Sequence, residues 1–234
     1  MILSIIIPVY NEQGTLCDVV KNIQSVRFPV DYEIIIVDDG SSAGKYGEDP
    51  LAILKNEDTS RKIKIFKNII NRGKGFSVRK GIKRAAGDII IIQDADMELD
   101  PNDIPRLLEP ILKNEADVVY GSRFLNKSWP ERMSFMCWFA NKFLTKLTNI
   151  LYGLKLTDME TCYKAFRAEI VKSLDLRSDR FAFEPEVTAS IARRGISIKE
   201  LPVSYCGRTI REGKKMKARD FMSAVFVLLA KRFM

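Results

Sequence analysis

Four isoleucines stand in succession at positions 89–92, immediately before a cluster of acidic residues. An unbroken apolar run of this kind is typical of a strand buried on both faces, as in a sheet covered by helices on each side. Asp94, Asp96 and Glu98 then follow at alternating positions. If the chain stays extended, their carboxylates lie on one side and repel one another unless a cation lies between them. Such oxygen ligands suit Mg²⁺ or Mn²⁺, although a solvated loop after the strand would have the same composition.

Strand-like and helix-like segments alternate along the chain. We predict strands at residues 3–9, 33–37, 62–66, 88–93, 117–120 and 196–203. Helices are predicted after the first strand to about residue 26, and then at 50–61, 75–86, 101–114, 133–154 and 220–234. The segment FAFEPE at 181–186 opens a further predicted helix that runs to residue 194. This alternation indicates an α/β protein with a mostly parallel, doubly wound central sheet and helices on both faces.

Polar and charged residues follow the predicted strands at their carboxyl ends, where sheets of this kind bind ligands. They are Tyr10, Glu12, Asp38, Asp39, Lys74, Asp94, Asp96 and Arg123. One edge of the sheet would therefore carry all of them, which a chance distribution of solvated loop residues does not explain. Lys74 also lies at a predicted helix N-terminus, a position that suits an anion.

The overall charge indicates an anionic partner. Lys and Arg number 38 against 30 Asp and Glu, for a net charge of +8, which favours a nucleotide, a nucleic acid or an acidic membrane. The chain has no histidine, and its four cysteines lack CxxC spacing. This composition excludes Ser-His chemistry and argues against a zinc site. Because no signal peptide precedes them, the scattered cysteines favour a reducing, cytosolic setting.

Two segments of the second half of the chain have features of a membrane-surface protein. The predicted helix at 133–154 carries apolar side chains nearly all round, which suits either burial in the protein or a membrane surface. Residues 207–219 hold six Lys or Arg against one Glu, an excess of five positive charges. The apolar run at 221–230 is too short to span a bilayer. We therefore expect contact with a membrane surface without a transmembrane span.

Six short motifs, taken in order, are far more specific together than any one of them. They are IIIPVYNE at 5–12, VDDGS at 37–41, NRGKG at 71–75, DAD at 94–96, GSR at 121–123 and DMETCYK at 158–164. This set resembles the family 2 glycosyltransferases of GT-A fold, and most of all the dolichyl-phosphate mannose synthase branch with its bacterial polyprenyl-phosphate relatives. The resemblance runs over nearly the whole chain, to ELPVSY at 200–205 and the basic cluster after it.

The resemblance implies an inverting transfer of a sugar, mannose or glucose, from a GDP- or UDP-linked donor to a polyprenyl or dolichyl phosphate. A GT-A catalytic domain would cover residues 1–205, with a nucleotide-sugar-binding half at 1–124 and an acceptor-binding half at 125–205. A basic loop and an amphipathic helix would follow at 206–234. Residues 43–50 are longer and less typical than in the family, which leaves the choice between GDP and UDP open.

The resemblance also implies the residues of the donor site. The positions that hold the nucleotide sugar correspond to Pro8, Tyr10, Glu12, Asp39 and Asp94, and Lys74 is expected to join them. Asp94 and Asp96 match the DxD pair that holds the metal and the donor, and Glu98 falls near the metal. The implied cofactor is therefore Mg²⁺ or Mn²⁺, bound by Asp94, Asp96 and Glu98.

Three further residues are implied at the reacting centre. Arg123 and Arg208 match arginines associated with phosphate groups, and Asp158 occupies the family position nearest the reacting centre. We expect Asp158 to act as a positioning residue or as a base, and Asp96, Arg123 and Asp158 to be the catalytic group. Because a lipid phosphate is already ionised at neutral pH, a strong base is less needed than for a hydroxyl acceptor, which makes the missing histidine tolerable.

The acceptor separates two enzyme hypotheses. A polyprenyl phosphate places the enzyme on the cytoplasmic face of the membrane as a peripheral protein, whose oligomeric state stays open. The alternative is a family 2 transferase that acts on a soluble or cell-surface saccharide hydroxyl. A nucleic-acid-binding module is disfavoured, because residues 207–219 have no aromatic side chains between the basic ones on which bases could stack.

Overall fold

The computed structural model describes residues 1–12, 14–42, 62–208 and 218–233, together with Leu51 and Leu54. Its strands are β1 (Ile2–Val9), β2 (Asp31–Asp38), β3 (Ile63–Lys67), β4 (Ile89–Ile92), β5 (Val118–Ser122), β6 (Lys164–Arg167) and β7 (Ile198–Pro202). They form one sheet in the order β3-β2-β1-β4-β6-β5-β7. Only β6 runs antiparallel to its neighbours within these residues, so the sheet is mostly parallel.

Helices connect most of these strands, as a parallel sheet requires. They are α1 (Leu16–Ser25), α2 (Lys74–Arg84), α3 (Ile104–Leu112), α4 (Phe135–Tyr152), α5 (Ala168–Ser173), α6 (Phe183–Arg193) and α7 (Ala218–Phe233). A 3₁₀ turn, Pro101–Asp103, precedes α3. Among the described residues, none of the helices combines the length and the apolar character needed to cross a membrane.

The core lies on both sides of the central strands. Ile5 in β1 pairs with Ile34 in β2 and with Ile91 in β4, and all three are fully buried. Helix α2 packs closely on this layer at Gly81, where a Cβ atom would lie 2.5 Å from Ile6 Cγ2. Strands buried on both faces, with helices packed against them, give the α/β architecture that the isoleucine run indicates.

The six predicted strands are confirmed, each within two residues at either end. The helix predicted at 133–154 is found as Phe135–Tyr152, and the one predicted at 101–114 begins with the 3₁₀ turn instead. The helix predicted at 50–61 lies outside the described residues apart from Leu51 and Leu54, which are both buried in the core. The basic residues at 209–217 also lie outside the described residues.

Strand β6 and helix α5 are the elements that the sequence patterns did not reveal. β6 has only four residues, Lys164–Arg167, and pairs antiparallel with both β4 and β5. Its tertiary position places Phe166 opposite both Ile90 and Val118. The predicted halves at 1–124 and 125–205 therefore share one sheet, and their division at residue 124 stays a prediction.

Candidate active site

A cavity of about 580 Å³ opens at the carboxyl ends of β1, β2, β4 and β5. Ten of the eleven site residues predicted from the sequence line it: Pro8, Tyr10, Glu12, Asp39, Lys74, Asp94, Asp96, Glu98, Arg123 and Arg208. The eleventh, Asp158, is fully buried and binds Arg123. The sheet topology thus brings residues from both ends of the chain to one site.

Asp39 holds the loop that precedes α2. Its carboxylate accepts hydrogen bonds from the backbone N–H groups of Gly73 at 2.6 Å and Arg72 at 3.1 Å. Gly73 has a φ of 103°, and a side chain there would collide with the backbone oxygen of Asp179, so the loop requires glycine. Asp39 thereby fixes the start of α2, where Lys74 is the first helical residue. Its contact with the nucleoside stays a prediction.

Lys74 is a fixed cation within the cavity. Its Nζ lies 2.9 Å from Asp94 Oδ1 and 2.8 Å from Glu184 Oε1. Burial by itself lowers the pKa of Lys74, but the charges of Asp94 and Glu184 raise it well above its ordinary value. The ammonium group therefore stays protonated at neutral pH and offers charge-assisted hydrogen bonds inside the site.

Arg208 joins three carboxylates that are far apart in the sequence. Its Nη2 lies 2.9 Å from Asp96 Oδ2, and its Nη1 lies 3.0 Å from Glu12 Oε2. The backbone N–H of Arg208 donates to Glu98 Oε1 at 2.9 Å, and Tyr205 Oη donates to the other oxygen of Glu98. This guanidinium therefore neutralises acids that the sequence places at the ends of β1 and β4.

The chain does not stay extended after β4, which was the condition for three carboxylates on one side. β4 ends at Ile92, Met97 has a φ of 62°, and Asp96 Oδ1 accepts a hydrogen bond from the backbone N–H of Glu98 at 3.2 Å. This turn leaves Asp94 with Lys74, whereas Asp96 and Glu98 meet Arg208. The three acids share the cavity but have different cationic partners.

The chemistry of these acids nevertheless fits a hard divalent cation. Burial, and then the charges of Asp94 and Glu98, raise the pKa of Asp96 to about 7, which reflects an excess of negative charge that a cation relieves. Carboxylate oxygens are the ligands that Mg²⁺ and Mn²⁺ prefer. Among the described residues, no group of three or more Asp, Glu, Cys or His side chains is arranged so that it could hold a metal ion. Arg208 would have to leave Asp96, and the assignment of the metal to these residues stays a prediction.

Arg123 and Asp158 form a buried, bidentate ion pair. Arg123 Nε and Nη2 each lie 2.7 Å from one carboxylate oxygen of Asp158. Burial by itself lowers the pKa of Arg123, but the charge and hydrogen bonds of Asp158 raise it above its ordinary value. Glu200 accepts hydrogen bonds from the backbone N–H groups of Thr157 and Asp158, which fixes the acid in turn. Since both oxygens of Asp158 bind Arg123, the geometry favours a positioning role over that of a base.

Two acids of the cavity were given no role from the sequence. Glu160 and Glu184 both line it, beside Lys74 and Arg123. Glu160 lies in the motif DMETCYK at 158–164, and Glu184 lies in the segment FAFEPE at 181–186, where a helix is predicted to begin. In the sequence, each of them is an acid among mostly apolar residues. An acid that caps a helix or lies at the surface gives the same pattern, so the sequence did not reveal their position in the cavity. Only the tertiary structure brings Glu160, in the turn before β6, and Glu184, in α6, to the same cavity.

Comparisons with known proteins identify the family to which this chain is related. Residues 4–175 match the family model described as Glycosyl transferase family 2. The chain is 28% identical over 241 residues to the dodecaprenyl-phosphate galacturonate synthase of Rhizobium johnstonii, covering 99% of this chain and 67% of that protein. It is 28% identical over 231 residues to the dolichol-phosphate mannosyltransferase of Pyrococcus furiosus, covering 94% of this chain and 60% of that protein. The chain thus spans about two thirds of the length of the first of these proteins and 60% of the second.

A further relative and a solved structure extend the likeness. An uncharacterised protein of Methanocaldococcus jannaschii is 30% identical over 204 residues, which cover 85% of this chain and 79% of that protein. The glucosyl-3-phosphoglycerate synthase of Mycobacterium tuberculosis, crystallised with Mn²⁺, UDP-glucose and phosphoglyceric acid, has a TM-score of 0.72. At 19% identity, with 99% of this chain and 80% of that chain covered, this likeness shows the fold. Sheet topology, site residues and the family match together show that the chain belongs to glycosyl transferase family 2 and has the GT-A fold.

Proposed function

We propose that this chain transfers a hexose, mannose or glucose, from a GDP- or UDP-linked donor to a polyprenyl phosphate, with inversion at the anomeric carbon. The composition of the cavity carries this proposal. One part of the cavity holds the charged residues Lys74, Asp94 and Asp96, and another part is lined by residues next to or within α4 and α7, including Met133 and Asp220. A charged donor site thus adjoins two helices with exposed apolar faces. The relatives named for dolichol- and dodecaprenyl-phosphate sugars support the lipid acceptor.

The donor site would act on the leaving group. Asp94, Asp96 and Glu98 would hold Mg²⁺ or Mn²⁺, which supplies charge neutralisation to the departing nucleoside diphosphate. Lys74 offers a second, permanent positive charge in the same cavity. Hydrogen-bond donors fixed in place before the reaction stabilise charge that develops as the glycosidic bond breaks.

Arg123 is the residue best placed to hold the acceptor phosphate. It lines the cavity with its side chain 11% exposed, and Asp158 fixes its orientation through two hydrogen bonds. Arginine in a fixed orientation binds phosphate oxygens through parallel hydrogen bonds. A phosphate is already ionised at neutral pH, so Asp158 can remain bound to Arg123 while the phosphate oxygen attacks the anomeric carbon.

An apolar surface runs along α4 and onto α7. Its aromatic rings contact one another in a continuous row, formed by Trp129, Phe135, Trp138, Phe139, Phe143 and Phe221. Phe135 is 60% exposed and Phe226 is 70% exposed, whereas Leu144 and Leu228 on the other faces of the two helices are buried. Each helix packs on the domain with one face and presents apolar side chains with the other. Exposed aromatic rings beside a basic segment suit an anionic membrane surface.

Activity with a lipid phosphate tests the proposed function directly. We expect labelled GDP-mannose or UDP-glucose, Mg²⁺ or Mn²⁺ and a short polyprenyl phosphate to give a labelled lipid product. EDTA should slow the reaction by about 100-fold or more, because the metal supplies several kcal/mol of charge stabilisation. The matched control is the same polyprenol without its phosphate. Transfer to a saccharide hydroxyl, with none to polyprenyl phosphate, would instead support the alternative acceptor.

Binding to liposomes tests the membrane surface. We expect the protein to sediment with vesicles that contain anionic lipid and to be largely released by high salt, since each Lys or Arg near the surface contributes about 1 kcal/mol. Replacing Phe135 and Phe139 with Ser should weaken sedimentation, as should truncation after Arg219. Ile69→Ser, in the loop after β3 and even more exposed than Phe135 and Phe139, is the control and should have no effect. A protein that stays in the supernatant at low salt would refute membrane docking and favour a soluble acceptor.

A further inference from the structure

Glu160 and Glu184 lie in the active-site cavity but take no part in the roles assigned above. Glu184 belongs to the first turn of α6 and is 4% exposed. Glu160 lies in the turn before β6, two residues after Asp158. Both line the cavity together with Lys74, whose Nζ binds Glu184. They therefore adjoin the groups assigned to the diphosphate of the donor.

Each of these two acids has a buried oxygen that lacks a partner. Oε1 of Glu184 binds Lys74, whereas its Oε2 has no hydrogen-bond partner among the described residues. Oε1 of Glu160 likewise has none among them. A buried polar atom that is left unpaired carries a desolvation penalty, so such atoms in a cavity wall call for a ligand that supplies hydrogen bonds.

The surroundings of the pair favour a neutral ligand. Burial, and then the charge of Glu184, raise the pKa of Glu160 to about 8. The buried Lys164 donates to the backbone oxygens of Met159 and Thr161, and no ion pair joins it to either acid within the described residues. Near neutral pH, Glu160 can therefore donate a hydrogen bond as well as accept one, whereas Glu184 can accept. A hydroxyl group, which both donates and accepts, matches this pair.

We propose that Glu160 and Glu184 form a hydroxyl-binding subsite for the donor sugar, which selects a neutral hexose and rejects a sugar that carries a carboxylate. The inference rests on the proposed function, since it takes the sugar to follow the diphosphate into the cavity past Lys74. Hydroxyl groups of the hexose form hydrogen bonds with the unpaired oxygens of both acids. A uronic acid would replace one of these hydroxyls with a carboxylate, which cannot donate a hydrogen bond to the unpaired oxygen of Glu184 and is repelled by the charge of that acid, so this donor is disfavoured.

Calorimetric binding of matched nucleotides tests the subsite without turnover. The probes are UDP, UDP-glucose and UDP-glucuronate with Mg²⁺, or GDP, GDP-mannose and GDP-mannuronate if the protein binds guanosine nucleotides. E160A is expected to weaken binding of the nucleotide hexose about 10-fold and to leave the affinity for the diphosphate alone unchanged. E160Q keeps the side-chain volume and the hydrogen-bonding groups but cannot ionise. At pH 7, where Glu160 is protonated, E160Q is expected to keep the preference for the neutral sugar over the uronic acid. At pH 9, above the raised pKa of Glu160, that preference should strengthen about 10-fold in the wild-type protein and stay unchanged in E160Q.

The control is E109Q, which changes an exposed acid of α3 outside the cavity and should alter none of these affinities. E160Q also covers the case in which E160A does not fold. If E160A weakens binding of the nucleotide hexose and of the diphosphate equally, or if the sugar preference of the wild-type protein and of E160Q changes in the same way between pH 7 and pH 9, the subsite is overturned. If the wild-type protein binds neither UDP nor GDP, the proposed function itself fails. That outcome differs from intact diphosphate binding without sugar discrimination, which refutes the subsite alone.

Discussion

Asp96→Ala is expected to reduce sugar transfer with Mg²⁺ or Mn²⁺ by about 10³-fold or more, which equals about 4 kcal/mol of transition-state stabilisation. The reason is the position of this carboxylate, in the cavity between Asp94 and Glu98, whose charges help to raise its pKa. Removing it takes away a ligand from the acids that fit a divalent cation. Steady-state rates at saturating donor and metal measure the effect.

The fold of this variant should survive, because Asp96 is partly exposed, at 18% of its side chain, and Arg208 keeps Glu12 and Glu98 as partners. Thermal denaturation monitored by circular dichroism checks this. Asp18→Ala, on the exposed face of α1, is the matched control and should keep wild-type activity. Wild-type rates in Asp96→Ala, or full activity of the native enzyme in EDTA, would contradict the metal assignment.

Asp158→Ala should be the most destabilising substitution in the site, at about 3–5 kcal/mol, because it leaves the buried guanidinium of Arg123 without its counter-charge. The pair is bidentate, and the exposed fraction of the Asp158 side chain is 0%. In a domain of this size, 1 kcal/mol shifts Tm by about 2–4 °C, so a loss of roughly 6–20 °C is expected. Urea unfolding monitored by circular dichroism gives the free-energy change.

An exposed ion pair supplies the comparison. Oε1 of Glu109, in α3, lies 2.5 Å from Nζ of Lys113, just after this helix, and more than half of each side chain is exposed. Glu109→Ala should therefore lower the free energy of unfolding by less than about 1 kcal/mol. The double variant Asp158→Ala, Arg123→Met removes both charges and should be less destabilised than the sum of the two single variants. If Asp158→Ala costs no more than Glu109→Ala, the ion pair does not hold this part of the site.

The pattern of hydrophobic residues predicted most of the fold. β1, β2 and β4 each contain an uninterrupted run of three or four Ile and Val residues that is fully buried, as in a sheet covered on both faces. Because parallel strands present their carboxyl ends to one edge, the residues that follow them could be assigned to one site before any contact was known. The lining of the cavity by Tyr10, Asp39, Asp94 and Arg123 confirms that they meet.

Short elements and side-chain partners could not be found in this way. β6 has four residues, Lys164–Arg167, and its place between β4 and β5 depends on pairing with strands more than 40 residues earlier in the chain. A pattern within four residues carries too little information to specify such pairing. For the same reason, Glu160 and Glu184 were visible as acids but not as neighbours in one cavity wall.

The sequence by itself determined the architecture and most of the predicted residues that meet in the cavity, because periodic burial and strand order follow from local composition and a few packing rules. Only the tertiary structure decided which charged side chains form ion pairs with one another. The turn at Met97 sends Asp96 and Glu98 to Arg208, and Arg208 reaches Glu12 across 196 positions of sequence. Both carboxylate oxygens of Asp158 accept hydrogen bonds from Arg123, so this residue is not free to act as a base. Coulombic and hydrogen-bond partners depend on distances of a few ångströms, which only the folded chain sets.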